Sequence, residues 1–436
     1  TFIGGIHPFE GKELSEDKPI KYLEPLQGEV MVYPLSQHIG APAKPLVAKG
    51  DHVLKGQIIA EAGGFISANV LSSVSGTVKG IEPRLVANGA IVQSIIVEND
   101  NEYTAIEGFG EKRDYTKLSK EEIRNIVKEA GIVGLGGAGF PTNVKLAPKD
   151  DNAIDHIIVN AAECEPYLTS DHRIMVENAE QIVDGIVLAM KASGVSCAKV
   201  GIEDNKPDAI AAMREAASDK QNVEVVSLPA RYPQGFEKTL IYSLTGRIVP
   251  NGKLPSAAKC VVMNVGTCAA LSAAVRKGQP LIDRVVTVTG RVAKPTNFRV
   301  RIGTPLLDLI DHVGGLTDGV RKLIVGGAMM GNAVSTLNLP ITKNFGGFLA
   351  LGEEAISAQE SACIRCGRCM RACPMKLAPA KIDSLVRHGN YDGAIAAGAM
   401  NCMECGSCSY ICPARRPLTQ YIKSMRKIVL GKKKKK

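Results

Sequence analysis

Eight of the twelve cysteines fall in two runs of identical spacing, Cys363-x-x-Cys366-x-x-Cys369-x-x-x-Cys373-Pro374 and Cys402-x-x-Cys405-x-x-Cys408-x-x-x-Cys412-Pro413. Nothing else in the 436 residues constrains the fold as tightly, because such short spacers curl the backbone around a common centre and turn three sulfurs toward it. Two readings of clustered cysteine compete. Zinc sites close with four ligands, usually as paired C-x-x-C knuckles. A third cysteine at the same interval and a fourth followed by proline is instead the spacing of paired [4Fe–4S] cubanes, in which the fourth cysteine of each run ligates the other cluster. The expected ligand sets are Cys363, Cys366, Cys369 and Cys412 for one cluster, and Cys402, Cys405, Cys408 and Cys373 for the other. Gly367 and Gly406 let the backbone approach inorganic sulfide closely, and the prolines turn the chain away. The chemistry implied is electron transfer.

Short fixed gaps also argue for metal over disulfide pairing in a chain that stays inside the cell. Cys164, Cys197, Cys260 and Cys268 are scattered, and three of the four sit among apolar residues as inert core cysteines do. No histidine has metal-ligand spacing. Residues 361–436 hold 16 Lys plus Arg against three acids, a local charge of +13 in a chain of net charge +9. A basic region of this kind suits an acidic redox partner or an anionic membrane surface. Nucleic acid is set aside, since no helix-turn-helix, zinc-finger spacing or aromatic-rich binding strand accompanies the charge. Arg365, Arg368, Arg371, Arg415 and Arg416 lie within or beside the cysteine runs, where positive charge stabilises the reduced state of a cluster. Apolar stretches end well before the roughly 18 residues of a membrane span, and the first residues lack the pattern of a secretory signal. The chain is therefore expected on the cytosolic side, with the lysines at 432–436 as a solvated tail.

Residues 28–98 read as short strands broken by Gly and Pro, with two related segments, LVAKGDHVLKGQIIAE and SSVSGTVKGIEP. This resembles the barrel-sandwich module of lipoyl and biotinyl carriers. GGFISANVLSS offers no carrier lysine, which leaves a docking or structural role. Ser119 and Glu122 form a capping box for a helix that carries Ile123, Ile126 and Val127 and stops at Gly131. Strand and helix then alternate: IDHIIVN, one long helix around Ile174 to Lys191, CAKVGI, a helix from Pro207 to Ala217, and VEVVSL. Such alternation predicts a largely parallel sheet covered by helices. RVVTVTGRV, FRVRI, a helix near Leu306 to His312 and KLIVGG make a β-rich unit that resembles the ubiquitin-like SLBB module. After Gly347 the pattern turns helical and cysteine-rich.

GIVGLGGAGFPTNVKL places glycines at 134, 136, 137 and 139 between a helix and an apolar segment, which frees backbone N–H groups to face a ligand. A plain turn between helices explains the glycines as well. The following strand changes the balance, because IDHIIVN runs into Asn160-Ala-Ala-Glu163-Cys164-Glu165-Pro166 and sets acids at a strand's C-terminal end, where open α/β sheets bind ligands. GLGGAGFPTNVK and NAAECEP resemble two segments of the complex I flavin subunits, which bind FMN and NADH. YPQGFE at 232–237, SLTG ending at Gly246 and MNVGT at 263–267 follow in the same order. The resemblance covers 119–340. It implies that Gly134, Gly136 and Lys145, with Gly137 and Gly139 in the same loop, cradle FMN, and that Asn160, Glu163 and Asn264 face the flavin. It further implies that Phe140 stacks on the nicotinamide nucleotide, that Glu165 holds it, and that Lys253 contacts a phosphate. This chain departs from that family at Leu135 for Arg, Ala162 for Asp, Cys164 for Ser and Phe236 for Glu.

The complete order, FIGGIHPFEGK, then barrel-sandwich module, flavin-type domain, SLBB module and two clusters, resembles the RnfC family. Its members are peripheral NADH-side subunits of membrane-bound, ion-translocating ferredoxin:NAD⁺ oxidoreductases. The fold class implied is a multidomain α/β chain. Its parts are a barrel-sandwich β region at 1–112, an α/β flavin/NADH-type domain at 113–282, an SLBB β-grasp module at 283–346, an α-helical two-cluster ferredoxin-like domain at 347–430 and a lysine tail at 431–436. The resemblance implies two [4Fe–4S] clusters, FMN and NAD(H) as cofactors. It implies other Rnf subunits, integral and iron–sulfur, NADH and a ferredoxin-like protein as partners, and the cytoplasmic face of the cell membrane as location. A cobalamin reductase of propanediol-utilisation systems shares the flavin domain, SLBB module and two clusters. A flavin-free electron wire or docking scaffold is the reading of a different class.

Overall fold

The computed structural model describes residues 1–148, 153–356 and 359–434. Four sheets organise the β-structure. A four-stranded antiparallel sheet (Val30–Pro34, Ile91–Asn99, Gly76–Leu85, His52–Val53) and a three-stranded one (Lys44–Pro45, Ile58–Glu61, Val70–Leu71) make up the barrel-sandwich module. Met31, Tyr33, Val53, Ile59 and Ile95 are wholly buried between them. The short strands and glycine turns leave each sheet too small to stand alone, so the two faces cover one another.

The helix Lys120–Glu129 begins on the capping box, with Ser119 Oγ accepting from Glu122 N and the Glu122 carboxylate accepting from Ser119 N. Ile123 and Val127 are buried, and Gly131 leaves the helix at φ 62°. Four parallel strands follow in the order Val223–Leu228, Ala198–Glu203, His156–Ala161, Cys260–Asn264. Where the sequence suggests one helix from Ile174 to Lys191, the structure has two, Ser170–Glu177 and Ala179–Ser193. Asn178 breaks them: its backbone leaves helical geometry at φ −135°, and its side chain donates to Glu177 O at 2.9 Å instead of leaving that carbonyl to the helix. Ala179–Ser193 packs on Val265–Lys277, and Gly185 permits the approach, since a Cβ there would run into the Cys268 carbonyl. Cys260 and Cys268 are buried core residues.

The SLBB-like sheet is larger than the sequence suggests. Its six strands run Lys21–Leu23, Thr296–Arg301, Asp283–Gly290, Gly347–Leu351, Lys322–Val325, Asn332–Val334. Gly347–Leu351, expected to open a helical domain, is an interior strand, parallel to Asp283–Gly290 and antiparallel to Lys322–Val325. All five of its residues are buried, and a continuous apolar run of that length carries no period that tells strand from helix. Lys21–Leu23 crosses from the first module to add a parallel edge strand.

In the cluster domain, Pro379–Arg387, Tyr391–Ala396 and Leu418–Lys434 enclose Ile382, Val386, Ala394, Ala399, Ile422 and Met425. The two cysteine runs share one backbone. Arg365 and Glu404 (φ 55° and 59°), Gly367 and Gly406 (72° and 81°), and Lys376 and Arg415 (54° and 53°) are left-handed at matched positions. The lysine tail expected from 431 is helical as far as Lys434; residues 435 and 436 lie outside the described residues.

Candidate functional site

The chain enters the parallel sheet at His156–Ala161, adds Ala198–Glu203 and Val223–Leu228 on one side, and then crosses to the other side for Cys260–Asn264. Strand order therefore reverses between His156–Ala161 and Cys260–Asn264, and ligands of open α/β sheets bind outside the carboxyl ends at such a point. Asn160 and Asn264 are register partners across this reversal. Asn160 Nδ2 donates to Gly235 O at 2.7 Å. Asn264 caps the helix Val265–Lys277 by accepting from Gly266 N at 2.9 Å, and donates to Asp171 Oδ2 at 2.6 Å.

The glycine loop lies over Asn264. Gly134 N donates to Phe140 O at 2.9 Å, and a bridge between Val133 and Pro141 closes the base. A Cβ on Gly136 would stand 2.9 Å from the Asn264 side chain, so only glycine admits this contact without a shift. Gly136 and Gly137 are exposed, with nothing within 4 Å of a Cβ placed on Gly137. Gly139, at φ 69°, abuts Gln37 and His38 of the barrel-sandwich module. Lys145 donates to Val262 O at 2.8 Å and lies 3.5 Å from Glu237 Oε1. Leu135, at the position of the family's Arg, is buried; its N–H donates to Thr267 Oγ1 at 3.0 Å. Open loop backbone, two asparagines and a helix N-terminus at one crevice fit a phosphate-bearing flavin. Phe140 is half-buried beside that loop, whereas Lys253 stands exposed on a separate turn, and no contact among the described residues ties it to the others.

The acidic segment behind the crevice is more deeply buried than its sequence suggests. Glu163, at φ 48°, accepts from the backbone of Asp171 (2.6 Å) and His172 (3.3 Å), capping Ser170–Glu177. Lys12, from the segment HPFEGK, reaches in: its Nζ lies 3.7 Å from Glu163 Oε2 and donates to Glu165 O at 3.1 Å and to Leu168 O. Burial pushes the Glu163 carboxyl up to about 7, against the pull of Lys12. Lys206 donates to Ala162 O at 2.8 Å and pairs with the equally buried Glu203 at 3.4 Å; burial holds the lysine down and the acid up. Glu165 turns away from the glycine loop. It accepts from Met329 N at 2.9 Å, in the SLBB-like module, and lies 3.4 Å from Tyr232 Oη; burial pushes it up to about 7. Lys12, Lys206 and Asp171 were not singled out by the sequence, because buried charge leaves no local pattern.

Cys373, Cys402, Cys405 and Cys408 line one cavity, otherwise walled by residues such as Met403, Leu377 and Ile422. Cys373, Cys402 and Cys405 act electrostatically on Cys408, Cys412 and Cys363 act on Cys369, and Cys373 feels both Cys405 and Cys369. Among the described residues no three converge as tightly as a single metal ion needs. Four sulfurs around an apolar cavity fit the larger cubane. Burial pushes Cys402 up to about 11 and Cys408 up to about 12, so each thiol must release its proton to ligate iron. In the other set Cys363 and Cys366 are exposed, as are Arg365, Arg368, Arg371 and Arg415, while Cys369 is buried and Cys412 half-buried. Arg416 is not one of these exposed arginines: it holds the buried Asp383 carboxylate at 2.7 Å, opposite Arg387.

Family models match four segments: the RnfC barrel-sandwich hybrid domain at 1–102, the Nuo51 FMN-binding domain at 127–273, the SLBB domain at 285–333 and a 4Fe-4S dicluster domain at 355–413. A subunit of the Clostridium ljungdahlii proton-translocating ferredoxin:NAD(+) oxidoreductase complex is 48% identical over 90% of this chain and 86% of its own length. Its counterpart in the Na(+)-translocating complex of Acetobacterium woodii is 43% identical over 90% and 88%. The equivalent subunit of the Rhodobacter capsulatus ion-translocating oxidoreductase complex is 43% identical over 96% and 81%. Among solved structures, a chain of the NAD+-reducing [NiFe]-hydrogenase in its H2-reduced state shares the fold, with TM-score 0.51, 20% identity, and coverage of 70% of this chain and 63% of that one. The match at 1–102 speaks against a cobalamin reductase, and the FMN-binding match against a flavin-free wire. By identity and coverage together, the chain belongs to the RnfC family of ion-translocating ferredoxin:NAD(+) oxidoreductase complexes.

Proposed function

We propose that this chain is the electron-transfer subunit that exchanges electrons between NAD(H) and the iron–sulfur carriers of an ion-translocating ferredoxin:NAD⁺ oxidoreductase. One observation carries the reading: the asparagine pair Asn160 and Asn264 lies at the sheet's topological switch point, under an open glycine loop, in the same chain as two runs of four cysteines. FMN, when bound, exchanges hydride with NAD(H) and single electrons with the clusters. Gly136 and Gly137 present exposed backbone to it, Gly134 and Gly139 shape the loop around them, Lys145 offers positive charge, Asn160 and Asn264 orient the ring, and Glu163 supports them from behind by holding the start of Ser170–Glu177. Phe140 serves the nicotinamide nucleotide, whereas Glu165, engaged with Met329 and Tyr232, and Lys253, exposed on a separate turn, are left without a role at the crevice. Cys402, Cys405, Cys408 and Cys373 hold an inner cluster, and Cys363, Cys366, Cys369 and Cys412 an outer one. No catalytic acid or base is required for hydride exchange between two bound rings, so these residues bind, orient and exclude water.

The outer loop supports a docking role. Exposed Ile364 and Met370 lie in the same cysteine run as exposed Arg365, Arg368 and Arg371, a mix of apolar and basic surface that suits an acidic iron–sulfur partner such as another subunit or a ferredoxin-like protein. No helix of the described residues is long and apolar enough to cross a membrane. Attachment at the cytoplasmic face then rests on integral subunits of the complex. The test is an anaerobic NADH titration of the reconstituted full chain, following flavin absorbance and cluster EPR together. Bleaching of stoichiometric flavin with the appearance of reduced-cluster signals is the expected result. A preparation with full iron, no flavin and no response to NADH would support the wire instead.

A further inference from the structure

We propose that the segment Phe2–Lys12 is a clamp that fixes the inner-cluster loops against the flavin-type domain, with Tyr232 as the positioning residue at the junction. The proposal rests on the proposed function for the identity of the two electron-carrying sites, and goes beyond it in assigning what holds them in register. The segment touches both sides. Toward the cluster domain, Gly5 N donates to Ala372 O at 2.9 Å, one residue before Cys373. A Cβ on Gly4, whose φ is 87°, would stand 2.9 Å from the carbonyl carbon and oxygen of Cys373, so backbone meets backbone there and no side chain fits. Toward the flavin-type domain, Ile6 and Tyr232 exchange both backbone hydrogen bonds at 2.9 Å, and Tyr167 N donates to Glu10 O at 2.7 Å. Phe2 and Ile6 are buried, the Arg231 guanidinium lies 5.5 Å from the Phe2 ring centre, and Lys12 ends the segment inside the acidic site.

Tyr232 closes the junction. Its hydroxyl donates to Cys405 O at 2.7 Å and lies 3.4 Å from Glu165 Oε1. One proton cannot serve both at full strength, and the shorter contact takes it. Its buried side chain packs with Ile6, Ala372, Met403 and Cys405, and with Cys164 and Phe236 from the flavin-type domain. A single ring thus stands between the acidic loop and a ligand-bearing residue of the inner cluster. This makes the set containing Cys405 the flavin-proximal cluster, while exposed Cys363 and Cys366 face the partner. The separation between flavin and cluster governs how fast an electron crosses, and it is set by packing that the clamp holds rigid.

The test uses the anaerobically reconstituted full chain with Gly4→Val and Tyr232→Phe. Gly4→Val should keep its iron and flavin and bleach at the wild-type rate with NADH. Its cluster reduction should slow by about tenfold or more, and amides of 2–12 should lose hydrogen-exchange protection. Tyr232→Phe should slow the same step less, with protection retained. Wild-type cluster reduction in Gly4→Val despite lost protection would refute the positioning role, and free exchange of this segment in the wild-type protein would refute the clamp. Failure of the flavin reading is a separate result, seen as no bleaching in the wild-type protein; the exchange measurement still decides the clamp.

Discussion

Burial raises the Glu163 carboxyl from its ordinary value of 4.5 to about 7, because the desolvation of a carboxylate behind the flavin crevice outweighs the attraction of Lys12. Its contribution to stability is therefore complete below about pH 4.5 and is lost as pH rises through about 7, where the unfolded chain has already released the proton that the folded one retains. Glu165 titrates in the same sense. Glu163→Gln should flatten this fall in melting temperature between pH 5 and 7.5, measured by scanning calorimetry at constant ionic strength; an unchanged slope would assign the dependence to other groups. At the inner cluster, Thr419 Oγ1 lies 3.3 Å from Cys408 Sγ. Hydrogen bonds to cluster sulfur stabilise the added negative charge of reduction. Thr419→Val should shift the inner-cluster potential to more negative values at unchanged iron content, read by EPR-monitored redox titration. Cys408 was singled out by spacing alone, whereas Thr419 was not, because it reaches the thiol only after the helix Leu418–Lys434 folds back.

At the scale of elements, three of the four parallel strands were visible in their own period, whereas Cys260–Asn264 was not singled out, the helix after His156–Ala161 was interrupted by Asn178, and in the SLBB-like sheet burial on every side erased the period of Gly347–Leu351. Two helices depend on one glycine. Gly185→Ala places a methyl carbon against Cys268 O on Val265–Lys277 and should cost about 1–3 kcal/mol by forcing these helices apart. Because Asn264 caps that second helix at the switch point, the displacement should also weaken flavin retention, measured as flavin per chain after gel filtration. The two cysteine runs share a backbone, but Cys373, Cys402, Cys405 and Cys408 line a cavity while Cys363 and Cys366 are exposed. Air exposure should therefore reduce iron from about eight to about four per chain before further loss, with the outer set emptied first. Simultaneous decay of both EPR signals would contradict this order.

Across the whole molecule, buried cations hold modules together. Lys343 of the SLBB-like region is fully buried and donates to Asn69 O of the barrel-sandwich module at 2.5 Å and to Gly131 O of the flavin-type domain at 2.7 Å. Arg284 donates to Leu135 O at 3.3 Å, behind the glycine loop. Lys343→Met would leave two buried carbonyls without donors and should lower unfolding stability by about 2–4 kcal/mol, measured by urea denaturation of the loaded protein. Burial holds the Lys343 amine down to about 7, so alkaline conditions relieve the cost of charging it, opposite in sense to Glu163.

The sequence by itself determined the chemistry carried by local spacing: the two cysteine runs, the glycine loop, the capping box and the alternation that makes a parallel sheet. Those features act through neighbours a few residues apart, and backbone geometry converts their intervals directly into positions. Only the tertiary structure decided that Asn160 and Asn264 meet at the switch point, that Glu165 faces Met329 and Tyr232, that Lys12 enters the acidic site, and that Cys373 joins Cys402, Cys405 and Cys408 around one cavity while Cys363 and Cys366 are exposed. These are contacts between segments far apart in the chain, stabilised by burial that depends on what every other element covers, and no interval along the chain encodes them.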